Sequence, residues 1–341
     1  MATILAPAVP GGDRPAIEEA LGAFGIEQAS VEPLSGGAVN EHWRVDAPGL
    51  PARVLRRYHP RQTQDSVAYE HRLLQYLANR DWPVAPAIVA GGGSQLETEA
   101  GRWALFPFVH GDPPANTRRS LQRKGALLAL LHVDLRDYPE TEQRPGFGRI
   151  TDLDTPLRLD GFADFHALIA WDALRHPERA HAFEALRERN LEDARARGYD
   201  DLPDHLVYFE CLGNNILFDG DDVSAMLDFD QAHRDARVAD LGRSLLTDGG
   251  LDGWSLHAFL AGYQAHGDPP LTRQEVDLLP TMMLAAEIWN TAHTLAMSDR
   301  HPADWMEQSI EQSLTVRLPR LEAAQDELRE VLRGAGGYPT L

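Results

Sequence analysis

Cysteine, lysine and net positive charge are the conspicuous shortages in this 341-residue chain. With Cys211 alone, no intrachain disulfide and no cysteine-rich metal site can form. Lys124 is the only lysine, so 32 − 1 = 31 of the basic residues are arginines. No Gly-Lys-Ser/Thr follows a glycine loop, which excludes a Walker-type phosphate loop, and Lys124 lies in the helical pattern SLQRKGALLALLH, a poor setting for a Schiff base. Basic residues number 32 against 52 acidic ones, and the resulting charge of −20 argues against a nucleic-acid partner, whose phosphates demand a basic surface. Cys-x-x-Cys, His-Glu-x-x-His, Gly-x-Ser-x-Gly and G-x-G-x-x-G are all missing, and the 14 histidines show no metal-ligand spacing, so no zinc site is expected. No apolar run approaches the ~18 residues of a membrane span, and the opening MATILAPAVPGGDRP lacks the basic start of a signal peptide. The expectation is a soluble cytoplasmic protein that binds neither nucleic acid nor membrane.

What is present is an ordinary globular balance, 43% hydrophobic and 25% charged, in a length suited to two lobes. Residues 1–15 read as a flexible leader. A short helix over 16–24 precedes strand-like patterns at 27–34, Glu41–Val45 and Ala52–Tyr58. Ser66–Arg80 reads as a helix capped by Asp65 or Ser66, and Ile88–Ala90 and Trp103–Val109 as two further strands. After the connector HGDPP, helices dominate at 117–135, 161–174, 178–197 and 238–334, interrupted by a strand pair within 206–228. The expected fold class is α+β. A small β-rich N-terminal lobe covers 1–108, and a larger, mainly helical C-terminal lobe covers 109–341 and carries a loop and hairpin at 206–230. The cleft between two such lobes is the default ligand site.

The segment 206–241, LVYFECLGNNILFDGDDVSAMLDFDQAHRDARVADL, carries the most chemistry. Asp-Gly between two apolar runs marks a hairpin turn, which places Asn215 and Asp228 at the same open end, with Glu210 five residues before Asn215. Two carboxylates and a carboxamide make an oxygen-rich set suited to Mg²⁺, which takes one or two carboxylates and completes its shell with phosphate and water. Against this stands the common role of Asp, Asn and Gly as turn formers. In the N-terminal lobe, Ser35-Gly36-Gly37 is a turn whose backbone could approach a phosphate. Val67, Glu70, Leu74 and Leu77 share one helix face, so Glu70 needs a cationic partner, and Arg56 in VLRRY is the natural one. Strand alternation then turns Arg57 to solvent. Asp240 reads as a helix cap, and Trp289 as packing core.

Together these segments resemble the aminoglycoside phosphotransferase, choline kinase and homoserine kinase type II family, built on the two-lobed protein-kinase-like fold. The resemblance runs from about Pro33 to about Leu260 through LSGGAVN, VLRRY, AYEHRLL, WALFPFVHG, GALLALLH, NNILF…LDFD and ARVADLG. It implies ATP or GTP and Mg²⁺ as cofactors. Ser35, Gly36 and Gly37 would cover the nucleotide, Arg56 paired with Glu70 would hold its phosphates, and Phe106, Phe108 and Val109 would form the adenine-contacting hinge. Asn215 and Asp228 would be the metal ligands. Where the family has a catalytic His-Gly-Asp, this chain has Tyr208-Phe209-Glu210, which leaves Glu210 to orient the acceptor hydroxyl.

Two readings stay open at this point. One is a phosphotransferase acting on a hydroxyl of a small molecule or of a peptide Ser/Thr, the acidic balance favouring a cationic acceptor. The other is a catalytically degenerate kinase-like binding module that works through a partner protein. Retention of Arg56, Glu70, Asn215 and Asp228 favours the first, and the bulk of Tyr208 and Phe209 the second.

Overall fold

The computed structural model describes residues 13–34, 39–249, 251–300 and 304–337. Helices α1 (Arg14–Ala23) and α2 (Gln64–Ala78) accompany strands β1 (Ser30–Pro33), β2 (Glu41–Asp46), β3 (Arg53–Tyr58), β4 (Leu96–Thr98) and β5 (Gly101–Pro107). Helices α3 (Arg118–Leu135), α4 (Asp154–Leu159), α5 (Phe165–Ala173) and α6 (Pro177–Ala196) follow. Four short strands come next: β6 (His205–Val207), β7 (Ile216–Asp219), β8 (Asp222–Met226) and β9 (His233–Asp235). The chain ends in α7 (Arg237–Gly249), α8 (Gly253–His266), α9 (Arg273–Arg300), α10 (Asp304–Gln312), α11 (Leu318–Ala323) and α12 (Gln325–Ala335). No helix among the described residues is long and apolar enough to cross a membrane. The leader expected over 1–15 meets α1, which already begins at Arg14; residues 1–12 lie outside the described residues.

Two compact units divide the chain, one running to Asp112 and including Leu217–Asp230, the other comprising Pro113–Ile216 and Gln231 onward. This grouping differs from the boundary expected at 108/109 and from the placement of the whole hairpin in the helical lobe. The cause is backbone pairing. Asp112 and Phe218 exchange two hydrogen bonds of 2.9 Å, and the Met226 N–H donates to Pro83 O at 2.7 Å, which ties most of β7 and all of β8 to the first unit.

The first unit is built on an antiparallel sheet in the order β1-β2-β3-β5-β4. Its two faces are both covered, and strand alternation assigns the residues. Trp43, Val45, Leu55, Trp103 and Leu105 pack with Ile17 and Leu21 of α1 and with Phe24 just beyond its end. On the other face, Arg56 and Tyr58 meet Glu70 of α2. Arg57 falls on the α1 side. It is ion-paired to Glu41 and Asp13 and lies over the Trp43 and Trp103 rings, rather than extending into solvent as expected. Thr63, not Asp65 or Ser66, caps α2, its side chain accepting the Ser66 N–H at 3.2 Å. Ile88–Ala90 forms no strand; the Ile88 N–H makes a single bond to Leu105 O, and the edge of the sheet is taken by β4.

In the second unit, α3 crosses α8 at two glycines. A Cβ on Gly125 would lie 2.0 Å from Phe259 O, and one on Gly262 would lie 2.0 Å from Gln122 O. Backbone at that distance cannot yield without parting the helices, so Gly262→Ala should cost at least ~1–3 kcal/mol, the usual penalty of overpacking. Chemical denaturation of the second unit's helices checks this, and an unchanged midpoint would contradict the close approach.

Candidate functional site

The first unit gathers its polar groups on the α2 side of the sheet. Arg56, buried at the centre of β3, donates from Nη1 to Glu70 Oε1 at 2.8 Å, and its Nη2 lies 3.9 Å from Asp228 Oδ1. The guanidinium also sits 5.0 Å from the Phe106 ring and 5.5 Å from the Tyr58 ring. Burial disfavours the Arg56 cation, but the Glu70 carboxylate, with Tyr58, Asp228 and Asp230, more than offsets this and holds its pKa above the ordinary arginine value. The expected Arg56–Glu70 pair is therefore present and dry, and removing one partner of such a pair typically costs ~3–5 kcal/mol.

Asp228 follows β8 and takes φ +60°, a left-handed conformation uncommon outside glycine and asparagine-like residues. Two residues on, Asp230 Oδ2 accepts from Asn40 Nδ2 at 2.8 Å, and Asn40 Oδ1 accepts the His59 N–H at 3.0 Å. His42 on β2 accepts from Arg56 Nε at 3.0 Å. Burial first, and the adjacent Arg56 cation second, push the His42 imidazole down to about 3. The unfolded chain binds this proton near pH 6.5 and the folded one does not, so stability falls as the pH drops from about 6.5 towards 3. His42→Gln should lose less unfolding free energy between pH 7 and pH 5 than the parent protein. Part of the slope remains in the variant, because burial also lowers His205, to about 4.

The expected hinge residues divide. Phe106 is buried, with its ring at the Arg56 guanidinium and edge-on to His71, whereas Phe108 is half-buried beneath Arg44, 4.6 Å from its guanidinium. Val109 is half-buried just beyond the end of β5. Ser35, Gly36 and Gly37 lie outside the described residues.

The second unit holds the other set. Tyr208 and Phe209 are fully buried, and Phe209 takes φ +68°. This is the position of the glycine in the resembled His-Gly-Asp, and a bulky side chain there carries strain of ~1–3 kcal/mol. Packing holds it: the Phe209 ring meets His233 at 4.7 Å and Trp289 at 5.6 Å. Arg243 of α7 completes the arrangement. Its Nε donates to Phe209 O at 2.7 Å, its Nη2 to Glu210 Oε1 at 2.6 Å, and its Nη1 to Asn290 Oδ1, while Phe209 and Trp289 flank the guanidinium. Asn215 closes a single 3₁₀ turn and donates from Nδ2 to Glu210 Oε2 at 3.3 Å.

Beneath this loop, Asp240 is not the helix cap expected of it. It lies within the first turn of α7, which starts three residues earlier, and its Oδ2 accepts the Tyr208 N–H at 2.8 Å and faces His132 Nε2 at 3.1 Å. Lys124 pairs with Asp248, whose Oδ1 accepts the Gly213 N–H at 3.2 Å, so the one lysine anchors the same loop. Burial pushes the Cys211 thiol up, out of nucleophilic range. Trp289 is core, as expected, but it is core that shapes Arg243.

Glu210 and Asn215 thus come together in one unit and Arg56, Glu70 and Asp228 in the other. Among the described residues no group of three or more His, Cys, Asp or Glu side chains gathers as a metal site. Asp228 offers carboxylate oxygens and Asn215 a carboxamide oxygen, donor types that a hard ion takes. Sequence reasoning missed His42 and Arg243. The register of the β2–β3 hairpin, in which His42 opposes Arg56, could have exposed the first; nothing local signals the second.

Comparison with known proteins is consistent across the chain. Residues 30–279 match the APH phosphotransferase enzyme family. The homoserine kinase of Rhodopseudomonas palustris (strain BisB18) is 25% identical over 311 residues, covering 89% of this chain and 90% of that protein. Among solved structures, amicoumacin kinase hAmiN in complex with AMP-PNP, Ca²⁺ and Ami superposes with a TM-score of 0.69 at 13% identity, over 92% of this chain and 93% of that one. The microcompartment-associated aminopropanol kinase gives 0.63 at 20% identity, over 96% and 100%. At these identities the structural likeness shows the fold alone, which is the two-lobed protein-kinase-like one.

Proposed function

Because this chain belongs to the APH phosphotransferase enzyme family, we propose that it transfers the γ-phosphoryl group of ATP to a hydroxyl of a small molecule. The observation that carries this reading is the buried Arg56–Glu70 pair with Asp228 3.9 Å from the same guanidinium. A dry arginine held at full charge beside a half-exposed carboxylate is suited to a phosphate chain and its counter-ion.

Each residue set has a part in the proposed reaction. Arg56 binds nucleotide phosphate and Glu70 keeps it oriented. Asp228 and Asn215 are the residues that would hold Mg²⁺. When bound, that ion would neutralise charge on the β- and γ-phosphates. Glu210 accepts a hydrogen bond from the acceptor hydroxyl through Oε2 and fixes its line of attack, while Arg243 holds Oε1. Phosphoryl transfer depends mostly on positioning and electrostatics, so a glutamate fixed in this way can serve where the family has aspartate. The homoserine and aminopropanol kinases among the relatives support a small amino alcohol as acceptor, and the charge of −20 favours the encounter with a cationic one.

Coupled detection of ADP with Mg-ATP or Mg-GTP and a panel containing L-homoserine, 1-amino-2-propanol, ethanolamine, choline and a Ser/Thr peptide tests this reading. ADP release that depends on one of the small alcohols supports it. Release only with the peptide would move the acceptor class. Nucleotide binding without release from any of them would favour the binding-module reading instead.

A further inference from the structure

Arg56 uses its guanidinium in three directions, and only two of them lead to acidic residues. Nη1 serves Glu70 and Nη2 lies towards Asp228, but Nε donates to His42 at 3.0 Å. His42 and Arg56 are directly opposed in the β2–β3 register, so the imidazole occupies the same sheet face by construction. An imidazole can accept at one nitrogen only when it is neutral, and burial beside Arg56 keeps it so. The Asn40 backbone on its other side favours the protonated ring, but less than burial and Arg56 oppose it. Asn40 in turn donates to Asp230 at 2.8 Å. Asn40 thus links the 228–230 segment to the start of β2, and His42, two residues on, links β2 to Arg56 and through it to Glu70.

We propose that His42 is the positioning residue of Arg56: by accepting Nε–H it fixes the guanidinium plane and leaves the Nη2 edge, on the Asp228 side, for the nucleotide phosphates. The inference rests on the kinase reading above and adds a requirement to it. Glu70 Oε1 meets Nη1, and the Phe106 and Tyr58 rings touch the guanidinium without a directed bond. A second contact at Nε defines the plane, as bidentate arginine pairs do. Arginine at position 56 is then not exchangeable for lysine, which carries all its donors on one terminal atom and cannot serve Glu70, His42 and a phosphate with the same flat fork.

Calorimetric titration of the full chain with Mg-AMP-PNP tests this across His42→Leu, His42→Gln, Arg56→Lys and the double variant His42→Leu/Arg56→Lys. His42→Leu should weaken binding about 10-fold, as expected for loss of a hydrogen bond to a charged group. His42→Gln, which restores an acceptor, should recover most of that affinity. The double variant should lose less than the product of the two single losses, because both disturb one contact. Parent-like affinity in His42→Leu, or losses that simply multiply, would overturn the proposal while leaving the kinase reading in place. A parent protein that does not bind Mg-AMP-PNP would remove the kinase reading and this inference with it. Nitrogen-15 spectra of the parent protein test the contact without any variant. A slowly exchanging Arg56 Nε–H beside a His42 protonated only at Nδ1 is expected, and a rapidly exchanging Nε–H would contradict the proposal.

Discussion

Glu210→Gln should reduce turnover by about 10²–10⁴-fold, the usual worth of a positioned acid–base group, with nucleotide affinity changed by no more than about two-fold. The carboxamide keeps an oxygen for Arg243 Nη2, which Glu210 Oε1 accepts at 2.6 Å, so the loop should stay folded. What is lost is the negative oxygen at Oε2, the atom that accepts from Asn215 Nδ2 at 3.3 Å. Glu210→Asp is the informative companion. It restores the side-chain length of the family's aspartate, but it withdraws the carboxylate by one methylene from Arg243, which is also held at Nε by Phe209 O and at Nη1 by Asn290. The aspartate variant should therefore be slower than the parent protein. Equal rates for the parent and Glu210→Gln, measured by ADP release at saturating nucleotide, would remove Glu210 from the mechanism.

Asp228→Ala should abolish Mg²⁺-dependent nucleotide binding, a loss of at least ~10²-fold in affinity, because one of the two proposed protein ligands of the ion disappears. The same change takes a carboxylate from 3.9 Å of Arg56, so residual binding without Mg²⁺ should change far less than binding with it. Removing the left-handed aspartate also relieves backbone strain only if the replacement can leave φ +60°. Asp228→Asn separates the two effects, since asparagine tolerates that conformation and keeps one oxygen. Titration calorimetry with and without Mg²⁺ reads both, and a fully Mg²⁺-dependent Asp228→Ala would end the assignment.

Much of this architecture is legible in the residues because local rules and packing agree. The spacing of Val67, Glu70, Leu74 and Leu77 placed Glu70 on the buried face of α2, and burial then required a cation, which Arg56 supplies. The Asp-Gly turn at 219–220 marks the β7–β8 hairpin, where Gly220 takes φ +60°. Other features escape because long-range contacts decide them. Ile88–Ala90 has strand-forming residues but finds one hydrogen bond to the sheet, at Leu105 O, and a local bridge from Ala90 to Gly93 rather than a ladder. Asp240 is a capping residue type, yet α7 begins at Arg237 and the carboxylate is turned to the Tyr208 N–H. Alternation sends Arg57 to solvent, which holds for its direction but not for its surroundings, since α1 covers that face. Arg243 reaches Glu210 from 33 positions away, a pairing that no periodicity could announce. In the sequence the bulk of Tyr208 and Phe209 favours the binding-module reading; in the structure Phe209 packs on Trp289 and His233, and Arg243 pairs with the longer carboxylate of Glu210.

The proposed function requires both Asp228 and Asn215 for binding of the metal–nucleotide complex. Electron paramagnetic resonance of Mn²⁺ titrated into the protein with AMP-PNP measures this directly. The parent protein should take up one Mn²⁺ in a nucleotide-dependent manner, Asn215→Ala and Asp228→Ala should each weaken that uptake by at least ~10-fold, and the double variant should show no bound ion. Undiminished Mn²⁺ uptake in Asn215→Ala would contradict the account, because Asn215 would then not hold the ion.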